Sequence, residues 1–216
     1  LKQTEGKGIN IYTHSEMLPA HGYPALRKYK HLKGNIGKAW FDQRRLFEQF
    51  PGAILATTNC VMPIKGTYAD RFFSYDVAGL EGVTKIENDD FAPLIERALA
   101  LPDADVESDQ TLLTGFHHET VLGIAPEILD AVKAGKISRF FVIAGCDAPG
   151  KGGDYYRELA TSLPADAVIM TTSCGKFRFN DVDYGKVPGT QIPRYIDLGQ
   201  CNNSISTVKI VVALPD

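Results

Sequence analysis

Short apolar, β-branched runs alternate along the chain with amphipathic segments. Most of these runs show no polar alternation, which is typical of strands covered on both faces. The pattern predicts strands at Ile9–Thr13, Ala53–Thr58, Gly82–Ile86, Thr111–Gly115, Arg139–Ala144, Ala167–Thr172 and Arg194–Leu198. Apolar residues at helical spacing predict helices at Phe91–Ala100, Pro126–Ala134, Asp154–Leu163 and Asn203–Leu214.

The alternation of strands and helices predicts an α/β fold with parallel sheets flanked by helices. Leu101–Gln110 is polar, acidic and rich in turn residues, so it is interpreted as a linker. We therefore expect two Rossmann-like domains, one over residues 1–107 and one over residues 108–216.

Composition narrows the class of protein. A chain of 216 residues buries about 70% of the surface it exposes when unfolded, so its core needs no disulfides. The net charge is −3 and no basic run is present, which disfavours nucleic acid as a partner. No apolar stretch reaches the roughly 18–20 residues that span a bilayer, and no signal peptide opens the chain. We expect a cytoplasmic protein without a membrane partner, and a chain that starts without Met suggests a fragment of a longer protein.

The four cysteines lie close behind predicted strands. Cys60, Cys146 and Cys174 come two residues after a strand ends, and Cys201 comes three residues after. The last three are separated by 28 and 27 residues, about the length of one βα unit. Since the carboxyl ends of parallel strands open onto one edge, where ligands bind, we expect the four thiols to converge there.

Other roles for these cysteines stay open at this point. A free cysteine is often only a small buried hydrophobe. Disulfides are disfavoured by the chain length and the expected cytoplasmic location, and the absence of a C-x-x-C pair disfavours a structural zinc site. Thiolates gathered in a crevice suit iron–sulfur chemistry, which is the hypothesis that the pattern favours.

Several phrases resemble signatures of the hybrid cluster proteins, formerly called prismane proteins. The phrase at residues 13–24, THSEMLPAHGYP, is the longest of them. Further phrases follow in the family's order, namely TTNC at 57–60, GCD at 145–147, SCGKFRFN at 173–180 and GQCN at 199–202. The resemblance extends over essentially the whole chain, and these phrases are specific to that family.

The resemblance implies a set of cluster ligands. In that family a mixed iron–sulfur–oxygen cluster, the hybrid cluster, is held by cysteines, two glutamates and one histidine. Glu16 matches the first glutamate ligand, Cys60 the first cysteine, and Cys146 the cysteine that is carried as a persulfide, while Cys174 and Cys201 match the remaining two. Glu16 and Cys146 are therefore also the candidate catalytic residues.

Two of the family's ligands have no counterpart in residues 1–216. The histidine ligand lies upstream of the matched region and the second glutamate lies downstream of it, so the chain holds five of the seven ligands. The family's second iron–sulfur cluster, bound by an N-terminal helical domain, also falls outside this chain.

The activity that the resemblance implies is an oxidoreductase of nitrogen metabolism. It would reduce hydroxylamine to ammonia and water, and reductive handling of nitric oxide is a further activity that the resemblance leaves open. Its partners would be a small N–O substrate and a redox electron donor. Without the resemblance, Glu16 would be interpreted as a helix-start carboxylate.

Other polar residues near these phrases are weaker candidates. The histidines are expected to be surface or satisfied polar residues, and these are His14, His21, His117 and His118. Lys176 and Arg178 follow Cys174 and either supply positive charge near the cluster or pair with surface carboxylates.

Two competing functions belong to other classes. Residues 145–152, GCDAPGKG, resemble a P-loop, but Gly152 stands where a Ser or Thr would bind Mg²⁺ and Pro149 lacks an N–H. A nucleotide-binding enzyme is therefore disfavoured. The chain can also be an inert apo or zinc-binding fragment whose cysteines stay thiols.

Overall fold

The computed structural model describes residues 1–58, 60–104 and 111–213. Within these residues the strands are β1 (Ile11–Thr13), β2 (Leu32–Asn35), β3 (Ile54–Ala56), β4 (Phe72–Tyr75), β5 (Thr84–Ile86), β6 (Arg139–Ala144), β7 (Ala167–Thr172) and β8 (Tyr195–Asp197). The α-helices are α1 (Pro24–Arg27), α2 (Gln43–Gln49), α3 (Ala92–Leu99), α4 (His118–Gly123), α5 (Ala125–Lys133), α6 (Asp154–Ser162) and α7 (Ser204–Ala213).

All strand pairs within the three sheets are parallel. β1 pairs with β2, the second sheet has the order β3-β4-β5, and the third has the order β6-β7-β8. Helices flank these sheets, so the predicted α/β fold with parallel sheets is confirmed. The predicted domain boundary at 107/108 lies outside the described residues, and the division into two domains stays a prediction.

In the second half, residues 111–213, the central strand of the sheet, β7, is covered on both faces, whereas Phe140 and Val142 of β6 are exposed. In β7, Val168 and Met170 point to a cluster with residues of α4, α5 and α7. Ile169, between them, packs on the other face against Ala160 of α6 and against Phe179. Strands buried on both faces have no polar alternation, which is the pattern that the sequence shows here.

The first half, residues 1–104, has a smaller core. Ile54 of β3 and Phe72 of β4 are buried with Tyr68, from a 3-10 helix at Gly66–Arg71, and Phe47 of α2 packs against them. The pair β1–β2 lies in a separate sheet. The first half is therefore two small layers rather than one continuous sheet.

Several contacts join the halves. Tyr23 donates a hydrogen bond to the Asn203 side chain over 2.6 Å, and the Trp40 indole donates to the Asp147 carbonyl over 3.0 Å. A side chain at Gly22 would place its Cβ 1.5 Å from the Gly115 carbonyl oxygen, so this approach requires glycine.

One predicted strand is wrong. Residues 111–115 are not a strand, although the extended segment touches β8 where the Phe116 amide donates to the Asp197 carbonyl over 2.7 Å. Leu112 and Leu113 are exposed, so the apolar run does not mark a buried strand. The remaining predicted strands and the four helices are confirmed with shifted ends, except that Leu214 lies outside the described residues.

Candidate metal centre

The four cysteines follow the carboxyl ends of β3, β6, β7 and β8. Cys174 and Cys201 each open a short 3-10 helix, at Cys174–Arg178 and Cys201–Asn203. Cys174 is buried, Cys60 and Cys201 are half-buried, and Cys146 is exposed. The site therefore has a closed side at Cys174 and a side open to solvent at Cys146.

The structure brings these cysteines and Glu16 together. Burial, and then repulsion from Glu16 and from the other three cysteines, raises the pKa of the Cys60 thiol to about 11. Charges separated by more than roughly 8–10 Å are largely screened from one another. Sulfur atoms from distant parts of the chain thus lie on one edge, as the positions of the strand ends predict.

Cys201 belongs to the same group. Burial raises the pKa of its thiol, and a hydrogen bond from Ser173 opposes that increase. Glu16 and Cys146 raise the pKa further through charge repulsion. Cys201, Cys146 and Glu16 repel one another when ionised, and a cation among them would remove that repulsion.

Glu16 reaches this group from the first half. It lies in a 3-10 helix at Ser15–His21 that follows β1. Its Oε2 accepts a hydrogen bond from the Asn202 amide, next to Cys201, over 3.1 Å. Its Oε1 is buried and has no hydrogen-bond partner among the described residues. A buried carboxylate oxygen without a partner is costly, and a metal ion would satisfy it.

Two polar groups lie beside the buried sulfur. The Gln200 side-chain amide donates toward Cys174 Sγ over 3.4 Å, and Ser15 Oγ lies 3.4 Å from the same sulfur. Both groups therefore contact the sulfur atom that would bind the metal.

Left-handed backbone occurs beside three of the candidate ligands. Ser15 precedes Glu16 at φ 44°, Ser173 precedes Cys174 at φ 71°, and Cys60 itself has φ 59°. This conformation costs about 1–2 kcal/mol in residues other than glycine. These strained residues occur where the backbone turns sharply from the end of a strand into the site.

A buried ion pair supports the edge of the sheet. Lys176 and Asp197 are both fully buried, and Lys176 Nζ lies 2.6 Å from Asp197 Oδ1. Lys176 also donates to the Gly199 carbonyl, and the Gly199 amide donates to Asp197 Oδ1 over 2.8 Å. Burial lowers the pKa of Lys176, while Asp197, Cys174 and Glu16 oppose that decrease. The pair links the segments that carry Cys174 and Cys201.

Lys176 and Arg178 both pair with carboxylates. Arg178 Nε lies 2.6 Å from Asp147 Oδ2, and the same guanidinium donates to the Ala148 carbonyl over 2.8 Å. Both partners, Asp197 and Asp147, are buried rather than on the surface, contrary to that part of the expectation. Sequence reasoning did not single out Asp197, and its position inside an apolar run was the available signal.

The histidines differ in their surroundings. His14 is part of the wall near Glu16, and burial lowers its pKa to about 4, with Asp42 acting in the opposite direction. Its Nε2 has no hydrogen-bond partner among the described residues. His21 Nε2 lies 2.7 Å from Thr13 Oγ1, so this histidine is satisfied as expected.

His117, His118 and Glu119 form a compact group whose ligand atoms lie within 4.8 Å of one another. The ammonium of Lys209 lies 3.2 Å from His118 Nε2, and a positive charge there opposes a metal cation. This group is separate from the cysteine edge.

A single zinc ion does not fit the cysteine edge. Tetrahedral zinc with Zn–S bonds of about 2.3 Å holds its sulfurs roughly 3.8 Å apart. In the part of the chain that the structure describes, no three ligand atoms from the cysteines and Glu16 lie within 4.8 Å of one another. The wider spacing suits a cluster of several metal ions.

The donor set and the parallel α/β scaffold are typical of a protein with a cysteine-rich metal centre at a sheet edge. The whole chain, residues 1–216, matches the Prismane/CO dehydrogenase family, and the chain belongs to that family.

Curated relatives carry the name hydroxylamine reductase. The protein of Moorella thermoacetica is 53% identical over 216 residues, which are 100% of this chain and 50% of that protein. That of Methanothermobacter thermautotrophicus is 52% identical over 99% of this chain and 50% of its own length, and that of Geobacter metallireducens is 50% identical over 100% and 39%. The chain spans about half the length of the relatives it matches, or less. No helix among the described residues is long and apolar enough to cross a membrane.

Proposed function

We propose that the protein is an oxidoreductase of nitrogen metabolism that holds a hybrid iron–sulfur–oxygen cluster. Its ligands from this chain would be Glu16, Cys60, Cys146, Cys174 and Cys201. The observation that supports this proposal is the meeting of four thiols and one carboxylate at a single edge. The buried, unpartnered Oε1 of Glu16 is a ready metal ligand within the described residues.

The donor types suit a cluster with two different ends. Thiolates bind iron firmly, whereas a carboxylate is a harder ligand that exchanges more readily. When bound, the cluster supplies electrons to an N–O bond. Hydroxylamine takes two electrons and two protons, the N–O bond breaks, and ammonia and water leave. A redox protein would donate the electrons in the cytoplasm, and nitric oxide is a further N–O substrate that this chemistry allows.

The residues of the chain have distinct parts in this proposal. Cys174 would hold the cluster on the buried side, where Ser15 and Gln200 contact its sulfur. Cys146 lies on the solvent side, from which a small substrate can arrive. Glu16 holds the more exchangeable iron and stays oriented through the Asn202 amide.

The competing functions have less support. Asp147 and the Ala148 carbonyl point to Arg178, so the P-loop-like segment presents acceptors rather than an amide cradle for phosphate. The spacing of the cysteines disfavours a single zinc ion. An apo fragment with free thiols stays the serious alternative for residues 1–216 by themselves.

The test is anaerobic purification of the full-length protein that contains residues 1–216. We expect several iron atoms and acid-labile sulfide per chain and an EPR signal after partial reduction. Cys174→Ser should remove most of the iron of this cluster. A colourless protein, an iron content that Cys174→Ser leaves unchanged, or tight ATP–Mg²⁺ binding in an iron-free protein would refute the proposal.

A matched pair of variants tests Glu16. Glu16→Gln should keep the cysteine-bound iron but change the EPR signal and lower hydroxylamine turnover at least about tenfold, because a neutral amide is a weak iron ligand. Glu48→Gln changes an exposed glutamate that pairs with Lys65, and it should alter neither property.

A further inference from the structure

Gln200 places a neutral amide in the interior beside the candidate metal centre. Its side chain is completely buried, and the residue lies between the end of β8 and Cys201. The side-chain amide nitrogen donates toward Cys174 Sγ over 3.4 Å, which is the sulfur on the closed side of the site. Among the described residues, the side chain of Gln200 makes no other hydrogen bond.

The oxygen of the same amide has no partner. Gln200 Oε1 is buried and accepts no hydrogen bond from the described residues. An amide oxygen that is buried in this way lowers stability, whereas an apolar side chain of similar size would fill the same space without that penalty. The contribution of Gln200 is therefore sought in the contact of its N–H with the sulfur.

The orientation of the amide matches a metal-bound sulfur. A cysteine that binds a metal has lost its proton, so its sulfur only accepts hydrogen bonds. The amide nitrogen of Gln200 can only donate. Ser15 Oγ lies 3.4 Å from the same sulfur, but a hydroxyl can either donate or accept. Of these two groups, Gln200 is the one whose contact with the sulfur is restricted to donation.

A buried lysine close to this sulfur in sequence already has a partner. Lys176 lies two residues after Cys174, and its Nζ is 2.6 Å from Asp197 Oδ1. The two charges largely offset each other, so the pair brings little net charge to the site. An N–H directed at the sulfur itself acts strongly in such a place, because a buried hydrogen bond is little weakened by solvent.

We propose that Gln200 is a positioning residue that raises the reduction potential of the cluster through its N–H···S hydrogen bond to Cys174. The inference rests on the proposed function, since it requires a cluster bound at this sulfur. Reduction by one electron from the redox donor adds negative charge, part of which falls on the cysteine sulfurs. A donor directed at a sulfur stabilises the reduced form more than the oxidised form.

Potentiometric titration of the full-length holoprotein, followed by EPR, tests this inference. Gln200→Met keeps a long, unbranched side chain but removes the donor. We expect the equilibrium constant for uptake of one electron to fall at least about threefold, measured as a midpoint potential below that of the wild type. An unchanged or higher potential would overturn the inference.

Thr171→Val is the matched control for the loss of a buried polar group. Thr171 is also completely buried in the second half, but its hydroxyl donates to the Ile143 carbonyl over 2.6 Å rather than to a sulfur. This variant should lower the Tm and leave the midpoint potential unchanged. An equal fall of the potential in both variants would show a general loosening of the site, which also contradicts the inference.

Pulsed EPR provides a signature that packing alone does not produce. The unpaired electron of the reduced cluster couples to the nitrogen of an amide that donates to one of its sulfurs. With ¹⁵N in the glutamine side chains, we expect this coupling in the wild type and in Gln49→Met, which changes an exposed glutamine. Gln200→Met should lack it, and a coupling that persists in this variant would show that the donor is another residue.

These results separate the inference from the proposed activity. A holoprotein that shows both effects of Gln200→Met but does not reduce hydroxylamine would contradict the activity alone. Turnover of hydroxylamine with a potential that Gln200→Met leaves unchanged would contradict the inference alone. A full-length wild-type protein that binds no iron would contradict both.

Discussion

The candidate ligands come from both halves of the molecule, and the sheets of the two halves differ in how many buried hydrophobic residues pack against them. In the second half, two clusters of eleven and six buried hydrophobic residues cover the two faces of β7, whereas the one such cluster among the described residues of the first half contains three. Cys146, Cys174 and Cys201 therefore come from a rigid platform. Glu16 and Cys60 come from layers separated by a cavity, so the geometry of these two depends on what fills it.

The largest expected effect comes from the buried ion pair of the second half. Lys176→Met leaves the Asp197 carboxylate buried without its cation, which should lower the free energy of unfolding by about 3–5 kcal/mol. Urea unfolding followed by circular dichroism measures this change. Lys186→Met removes an exposed lysine and should change it by less than about 0.5 kcal/mol. A similar small change for both variants would show that the platform does not depend on the pair.

Two isoleucines compare the cores directly. Ile169 is completely buried, whereas Ile54 borders the cavity. Ile169→Ala should lower the free energy of unfolding by about 2–5 kcal/mol, and Ile54→Ala by no more than about 2 kcal/mol in residues 1–216, because Ile54 has fewer atoms around it to lose. Chemical denaturation of both variants measures the difference. Equal costs in residues 1–216 would contradict the comparison.

The comparison of predicted and observed structure follows the same division. In the second half, the apolar run of β7 predicted a strand covered on both faces, and α5, α6 and α7 were placed correctly, while α4 was missed. In the first half, β2, β4, α1 and α2 were missed. The four residues of β2, LKGN, contain a single large apolar side chain, and β4, FFSY, is also only four residues long. Local pattern is a weak signal for a short strand that depends on its neighbours.

The candidate site divides in the same way. The cysteines were predicted to meet because strand ends share an edge, and this requires only local pattern and parallel topology. Asp197 was not predicted. Its position inside an apolar run indicates a buried carboxylate but does not identify its partner, Lys176, which lies 21 residues away. Nor does local pattern separate Thr111–Gly115, an apolar run that lies exposed, from a strand.

Acid should weaken the first half before the second through His14. Its folded pKa is about 4, lowered from 6.5 by burial, so the unfolded chain binds the extra proton first as pH falls. This stabilisation is present above pH 6.5 and is lost as pH falls toward 4, by up to about 3 kcal/mol. Urea midpoints of the metal-free protein at pH 7.5 and 5 measure the loss. His14→Gln should flatten the dependence, and an unchanged slope would show that another group causes it.

The smallest effect is expected at an exposed ion pair of the second half. Arg157 and Asp181 lie 2.6 Å apart, but their side chains are 45% and 65% exposed. Asp181→Asn should lower the free energy of unfolding by no more than about 1 kcal/mol, and 0.5 M salt should reduce the difference from the wild type. A decrease in the free energy of unfolding near that of Lys176→Met would mean that burial does not determine which of these two ion pairs contributes more to stability.

The left-handed residues at Ser15, Cys60 and Ser173 limit which sequences this site tolerates. Glycine adopts that conformation freely, so Ser15→Gly and Ser173→Gly remove strain, while a β-branched side chain there adds to it. Replacing either serine with glycine should therefore raise the free energy of unfolding of the apoprotein. Ser173→Gly would also remove the hydroxyl that forms a hydrogen bond with Cys201 and lowers the pKa of its thiol. At this position, the stability of the apoprotein and the reactivity of Cys201 therefore make opposite demands on the side chain.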